Sequence, residues 1–91
     1  VLATVTAVFG YDEPEIERRM MDIRHEFEAS IRSNSHNCLE GNAGCVETFV
    51  IEATYDDALR FIGTVRGAEE SVSVEYTVVP VEALNAEIGE Q

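Results

Sequence analysis

The order in which strand and helix patterns follow one another is the feature that most constrains the fold of these 91 residues. Three runs rich in β-branched and apolar residues predict strands, at 1–9, 45–53 and 71–79, and a more polar run at 31–39 alternates loosely and predicts a fourth strand. Between them lie two amphipathic helical patterns, at 10–30 and 54–67. The order βαββαβ predicts an α+β domain of the ferredoxin-like or ACT-like kind, with two helices on one face of a four-stranded antiparallel sheet.

Each predicted helix has a start signal and one apolar face. Asp12 followed by Pro14 is typical of a helix start, and Thr54 with Asp57 three residues later is a variant of the capping box. The apolar residues recur at helical spacings, as Ile16, Met20, Ile23 and Phe27 in the first helix and as Ala58, Phe61, Ile62 and Val65 in the second. We therefore predict that each helix packs this face against the sheet.

The third predicted strand has apolar residues on both faces, because successive side chains of a strand point in opposite directions. Phe49 and Ile51 face one way, and Val46 and Val50 face the other. Two helices can cover only one face of the sheet. We therefore expect a second subunit to cover the other face, so that the chain forms a homo-oligomer.

The net charge of −12 arises from 18 acidic residues against six basic ones, all of them arginine. Nucleic-acid affinity rests largely on basic side chains that neutralise phosphates, so we do not expect this part of the protein to bind DNA itself. An acidic surface without lysine is also typical of proteins from salt-loving archaea, because salt screens the repulsion between like charges. We therefore expect a halophilic domain.

The sequence lacks the signals of a membrane protein, a secreted protein and an enzyme. No run approaches the roughly 20 apolar residues of a membrane span, and no secretion signal opens the chain, so we expect a cytoplasmic protein. There is no glycine-rich phosphate loop, no Cys-x-x-Cys and no Ser/His/Asp constellation, so we do not expect catalysis. The strand pattern begins at Val1 without a methionine, which leads us to expect a fragment of a longer protein.

Both cysteines and one of the two histidines lie within ten residues, at His36, Cys38 and Cys45. His36 and Cys38 share a face of the second predicted strand. A connection at 39–44 would place Cys45 opposite Cys38, so that three nitrogen and sulfur donors converge on one patch, as a metal chelate requires. Two alternatives stay open: a disulfide between the cysteines, or two unreactive thiols beside an unrelated histidine.

The other histidine, His25, lies on the polar side of the first predicted helix. At about 100° per residue it falls opposite the apolar stripe, and so it faces away from the core of its own chain. Plain solvent exposure explains such a position. The functional alternative is that His25 reaches a neighbouring subunit and supplies a fourth donor there.

The stretch DIRHEFEASIRSNSHNCLEGNAGCVETFVIEA, residues 22–53, resembles the C-terminal regulatory domain of the NikR family of nickel-responsive transcriptional regulators. In that family a histidine on the first helix is followed eleven residues later by a His-x-His pair, and then by a cysteine in a Cys-aliphatic-Glu context. Here His25 and His36 are eleven residues apart, and Cys45-Val46-Glu47 supplies the cysteine context. Cys38 stands where the second histidine of the pair would be.

The resemblance implies an ACT-like metal-binding and oligomerisation domain over residues 1–80, followed by an acidic tail at 81–91. It also implies a tetramer or dimer in which metal bridges the subunits, and a parent protein that binds DNA through an N-terminal ribbon-helix-helix domain. The metal ligands that it implies are His36, Cys38 and Cys45 of one chain and His25 of another. Glu47 would orient one of these ligands.

The metal that the resemblance implies is Ni(II). Because Cys38 replaces a histidine, a second thiolate makes the site softer, and Zn(II), copper and Co(II) are alternatives. The alternative function is that of an ACT-like module that binds a small molecule and controls another protein.

Overall fold

A computed structural model describes residues 1–81 and contains four strands and two helices in the predicted order. The strands are β1 (Leu2–Phe9), β2 (Ile31–Cys38), β3 (Cys45–Glu52) and β4 (Ser73–Val79), and the helices are α1 (Pro14–Glu26) and α2 (Tyr55–Arg66). The predicted tail at 81–91 lies outside the described residues from residue 82 onwards. Within 1–81, no helix combines the length and the apolar character needed to cross a membrane.

The four strands form one antiparallel sheet in the order β2-β3-β1-β4. The order places β1 and β3 in the centre and leaves β2 and β4 at the edges. This is the topology of a ferredoxin-like fold, so the predicted fold class is confirmed. It also means that β2, which carries His36 and Cys38, pairs on one side only, with β3.

The core lies between the two helices and one face of the sheet. All eight apolar helix residues predicted to face the sheet are buried. Phe61 of α2 packs edge-on against both Phe27 and Phe49, with ring centroids 5.0 Å apart in each pair, and so joins the end of α1, α2 and β3. The buried strand residues on this face are Ala3, Val5, Ala7 and Phe9 of β1 and Cys45, Glu47, Phe49 and Ile51 of β3. Glu47 is the charged member of that set.

The opposite face of the sheet is free of the helices. Val46 and Val50 of β3 lie on it and are half-buried, and Val8 of β1, which pairs with Val46, is 39% exposed. The predicted division of β3 between two faces is therefore correct, with Phe49 and Ile51 buried on the helix side. The second subunit expected on the open face stays a prediction.

The start of α1 differs from the prediction, whereas the start of α2 agrees with it. The residue that caps α1 is Glu13, and its side chain makes no capping hydrogen bond. Asp12 instead adopts a left-handed backbone conformation, with φ 58°, in the turn after β1, a conformation that aspartate tolerates better than most residues. In α2, Oγ1 of Thr54 accepts a hydrogen bond from the backbone N–H of Asp57 at 3.1 Å, as expected of an N-cap.

Candidate metal centre

The hairpin formed by β2 and β3 places the three predicted donors next to one another. Its register pairs Cys38 with Cys45 and His36 with Glu47, and residues 39–44 connect the two strands, as predicted. Asn34, His36 and Cys38 share the face of β2 that points to the helix side of the sheet, which is also the side of Cys45. The pairing of β2 with β3 is therefore enough to bring the three donors together.

The connection between the two strands is tight at two glycines. Residues Glu40–Asn42 form a single 3₁₀ turn in which Gly41 has a left-handed conformation, with φ 71°. A Cβ atom at Gly44 would lie only 3.0 Å from the carbonyl oxygen of Phe9 in β1. Because neither position suits a side chain, the glycines allow the loop to turn and to lie against the central strand.

The donor atoms of His36, Cys38 and Cys45 all lie within 4.8 Å of one another. Nε2 of His36 is 3.7 Å from Sγ of Cys38. Both cysteines are free thiols, Cys38 exposed and Cys45 buried. Two ligands of one metal ion, at bond lengths of about 2.0–2.3 Å, are at most about 4.6 Å apart. Rotations of the side chains are therefore enough to let these three donors share one ion.

Glu47 fixes the ring of His36. Its Oε1 lies 2.7 Å from Nδ1 of His36, and its side chain is completely buried. Because a carboxylate only accepts hydrogen bonds, we assign the proton to Nδ1, which leaves the lone pair of the neutral ring on Nε2, near Cys38. This hydrogen bond raises the pKa of His36, although partial burial of the ring opposes the shift.

The buried carboxylate of Glu47 is held as an anion by two further side chains. Arg24 donates to it from Nε and Nη2, at 3.1 and 3.0 Å, and Nδ2 of Asn34 donates at 2.7 Å. Burial alone would raise the pKa of Glu47, but the hydrogen bonds from Arg24, Asn34 and His36 outweigh it and lower the pKa. Glu47 is therefore in the position and the charge state that orienting a ligand requires.

The two thiols differ in acidity because they are hydrogen-bonded to each other. The hydrogen bond from Cys45 lowers the pKa of Cys38, as does the contact with His36 when its ring also carries a proton on Nε2, whereas the hydrogen bond to Cys38, together with burial, raises the pKa of Cys45 to about 11. Cys38 is thus the first of the pair to ionise, with the thiol of Cys45 as its donor. A metal bound to both sulfurs has to displace the second proton as well.

His25 lies apart from the other three predicted ligands. It is exposed on α1, as predicted, and lines a groove with Met21, Glu28 and Ile31. The chain has two histidines, so an imidazole that completed the cluster of His36, Cys38 and Cys45 would have to come from another chain.

A cleft beside the donors is lined by acidic side chains. Asp12, Glu13 and Glu17, from the turn after β1 and the start of α1, line it together with the three donors. Oε1 of Glu17 lies 3.9 Å from Nε2 of His36. The acidic lining favours the approach of a cation, and Glu17 is a candidate for a fourth donor from the same chain, although its carboxylate lies outside the group of donors within 4.8 Å of one another.

Arg24, Asn34 and Glu17 belong to this site but were not among the predicted site residues. Asn34 had a signal, because it precedes His36 by two residues and so shares its strand face. Arg24 and Glu17 lie on α1, and their distance from the hairpin depends on how the helix packs across the sheet. No spacing along the chain predicts that distance.

The donor set fits a transition metal of borderline or soft character. One imidazole and two thiolates are ligands that Ni(II), Zn(II), Co(II) and copper accept, whereas Mg²⁺ and Ca²⁺ prefer oxygen ligands throughout. The fold and the site together define the class: a small ferredoxin-like domain with a candidate transition-metal centre at one end of its β2–β3 hairpin.

The chain belongs to the family of NikR C-terminal nickel-binding domains, whose model matches residues 2–79. The family assignment made from the sequence resemblance is therefore confirmed.

Two relatives come from salt-loving archaea, and both are named "Putative nickel-responsive regulator". The protein from Haloarcula marismortui is 38% identical over 85 residues, which are 93% of this chain and 60% of the relative. The protein from Halobacterium salinarum strain R1 is 34% identical over 82 residues, which are 90% of this chain and 57% of the relative. The chain thus spans about 60% of the relatives that it matches. Both are named as regulators and neither as an enzyme.

Among solved structures, an uncharacterized protein from Thermotoga maritima has the same fold. The TM-score is 0.76 at 15% sequence identity, and the match covers 87% of this chain and 96% of the other. At that identity the likeness shows the fold alone.

Proposed function

We propose that this chain is the nickel-sensing domain of a longer transcriptional regulator. The observation that carries the proposal is the convergence of His36, Cys38 and Cys45 within 4.8 Å, in a chain of the NikR C-terminal family. The donor set alone suits several transition metals. The choice of Ni(II) rests on the name of the family and on the names of the haloarchaeal relatives.

In this proposal each chain contributes two sets of ligands to two different metal ions. His36, Cys38 and Cys45 bind one ion, with Glu47 and Arg24 holding the ring of His36 in place. His25, exposed on α1, supplies the fourth donor to the cluster of a neighbouring chain. The half-buried apolar residues on the open face of the sheet are a second surface that suits contact with another copy of the chain.

The proposed mechanism is linkage between metal binding and assembly. A metal ion that bridges two chains stabilises the arrangement in which the two ligand sets meet, and that arrangement in turn binds metal more tightly. A DNA-binding domain before Val1 would join β1 next to Leu2, which pairs with Glu52, whereas Phe9 at the far end pairs with Cys45. The two ends of β1 are about 25 Å apart along the strand. A metal ion at the end near Cys45 would therefore act on the DNA-binding domain through the arrangement of the subunits in the cytoplasmic regulator.

Titration of the reduced domain with Ni(II) tests the proposal. We expect saturation at about one Ni(II) per chain, with a sulfur-to-nickel charge-transfer absorption and an increase of the mass in solution. The control is the same titration after both thiols have been alkylated, which should remove the absorption. Weak binding that is equal before and after alkylation would contradict a thiolate site.

Mixing two inactive variants tests whether the site is shared between chains. His25→Ala and Cys45→Ala should each bind Ni(II) poorly. After subunit exchange a 1:1 mixture should regain about a quarter of the sites, because half of the pairs are mixed and one of the two sites in each is complete. If Glu17 completes the site within one chain, His25→Ala binds like the unmodified protein, Glu17→Gln loses binding, and mixing restores nothing.

A further inference from the structure

Cys38 and Cys45 occupy a pair position that suits a disulfide. The backbone N–H of Leu39 donates to the carbonyl of Gly44 at 2.7 Å, so residues 39 and 44 lie opposite each other as a hydrogen-bonded pair. Hydrogen-bonded and non-hydrogen-bonded pairs alternate along an antiparallel ladder, which makes the adjacent Cys38–Cys45 pair non-hydrogen-bonded, with Cα atoms about 4.5 Å apart. A disulfide needs a Cα separation of about 4.4–6.8 Å.

The exposure of the two sulfurs gives them different roles in an oxidation. Cys38 is exposed on the edge strand β2, so a small oxidant can reach its sulfur from solvent. Cys45 is buried directly behind it, and the two sulfur atoms are within 4.8 Å. An oxidised Cys38 therefore meets the sulfur of Cys45 before it meets a thiol of another molecule.

We propose that Cys38 and Cys45 form a peroxide-responsive thiol pair whose oxidation gives a disulfide within the hairpin. This disulfide prevents metal binding at the site, an effect that we call closure of the site. The formation of the disulfide follows from the hairpin alone, whereas the closure of the site rests on the proposed function. Of the three donors in the cluster only His36 remains after oxidation, because a disulfide sulfur is no longer a thiolate ligand.

The oxidation balances with hydrogen peroxide as the oxidant. The sulfur of Cys38 attacks one peroxide oxygen, the O–O bond breaks, an S–O bond forms, and the departing hydroxide leaves as water with the thiol proton. The sulfur of Cys45 then attacks the sulfur of Cys38, the S–S bond forms, and the S–O bond breaks. That hydroxide leaves as water with the proton of Cys45, so two thiols and one peroxide give one disulfide and two waters. A dithiol reductant reverses the change by thiol–disulfide exchange.

The same chemistry makes metal and peroxide competitors. A metal ion bound to both sulfurs occupies the electron pairs that would attack the peroxide, so bound metal should slow the oxidation. Conversely, the disulfide should release metal. Zn(II) is the suitable probe for this competition because it has no redox chemistry of its own.

Treatment of the reduced domain with hydrogen peroxide tests the first half of the proposal. We expect the loss of both thiols, a mass decrease of two hydrogen atoms, and migration as a single chain on a non-reducing gel. Incubation with dithiothreitol should restore both thiols. A gain of oxygen atoms without a disulfide, or a disulfide between chains, would overturn the proposal.

Titration with Zn(II) before and after the peroxide treatment tests the second half. Oxidation should weaken Zn(II) binding at least tenfold, and bound Zn(II) should slow the loss of thiols.

The matched control is Cys38→His, which keeps a donor at the position but cannot form the disulfide. Its Zn(II) binding should therefore survive the amount of hydrogen peroxide that forms the disulfide in the unmodified domain. Unchanged binding by the oxidised protein would overturn the closure. If the reduced protein fails to bind, the proposed function fails and the closure with it, whereas the thiol count decides the disulfide separately.

Discussion

A Cys45→Ala variant should lose Ni(II) binding almost completely, with an affinity more than about a hundredfold below that of the unmodified domain. Replacing residues that merely support a metal ligand already costs about 10–100-fold, and the removal of a thiolate ligand should cost more. Cys45 is the buried donor of the cluster and is 2% exposed, so a water molecule has little access to the metal ion in place of its sulfur. Calorimetric titration with Ni(II) and the charge-transfer absorption measure the loss.

The fold of this variant should survive, because alanine removes a single buried heavy atom at a cost of about 1 kcal/mol in the free energy of unfolding. Cys38→His is the matched control, since it changes the neighbouring donor but keeps a ligand, and it should retain Ni(II) binding with a weaker charge-transfer band. Metal binding by Cys45→Ala that equals that of Cys38→His would contradict the assigned site.

Glu47→Gln should lower both the stability of the metal-free domain and its affinity for Ni(II). The carboxylate accepts hydrogen bonds from Arg24, Asn34 and His36, and an amide presents an N–H group where one of these donors now points. We expect the free energy of unfolding to fall by about 2–4 kcal/mol, because Arg24 loses its buried anionic partner. The loss is limited because the side chain of Arg24 is 32% exposed and can be hydrated instead. Denaturant unfolding without metal measures this effect.

The metal affinity of Glu47→Gln should fall by about 10–100-fold, because a neutral amide oxygen holds the proton of His36 on Nδ1 less strongly than a carboxylate does. Glu52→Gln is the control on the same strand. Glu52 pairs with Arg32 at 3.0 Å, but both side chains are 51% exposed, so its loss should change the free energy of unfolding by less than about 1 kcal/mol and leave Ni(II) binding unchanged. Equal effects of the two substitutions would show that the buried network around Glu47 does not support the site.

The fold was predictable because its signals are local. The apolar stripe of Ile16, Met20 and Ile23 and the alternation of Phe49 and Ile51 decide which faces become buried, and the structure buries those faces. The start of α1 was predicted less well. Aspartate is a common residue at the N-cap of a helix, but the turn after β1 requires a residue with positive φ, and Asp12 adopts that conformation instead of capping α1.

The candidate site likewise has one part that could be predicted from the sequence and another that could not. The grouping of His36, Cys38 and Cys45 was predictable because strand alternation and the length of one connection decide it. The contacts of Arg24 with Glu47 and of Glu17 with His36 were not, because they join α1 to the hairpin across the sheet. Their distances depend on the packing of the helix, which many side chains determine together.

By itself the sequence determined the order of the elements, the faces that they bury and the identity of three adjacent donors. These features depend on periodicity and spacing, which short-range geometry translates into structure. Only the tertiary structure decided which thiol is buried, that Glu47 is a buried anion rather than one of many surface acids, and that His25 lies away from the cluster. Burial and hydrogen bonding between distant segments control those properties, and they exist only once α1 has packed against the sheet.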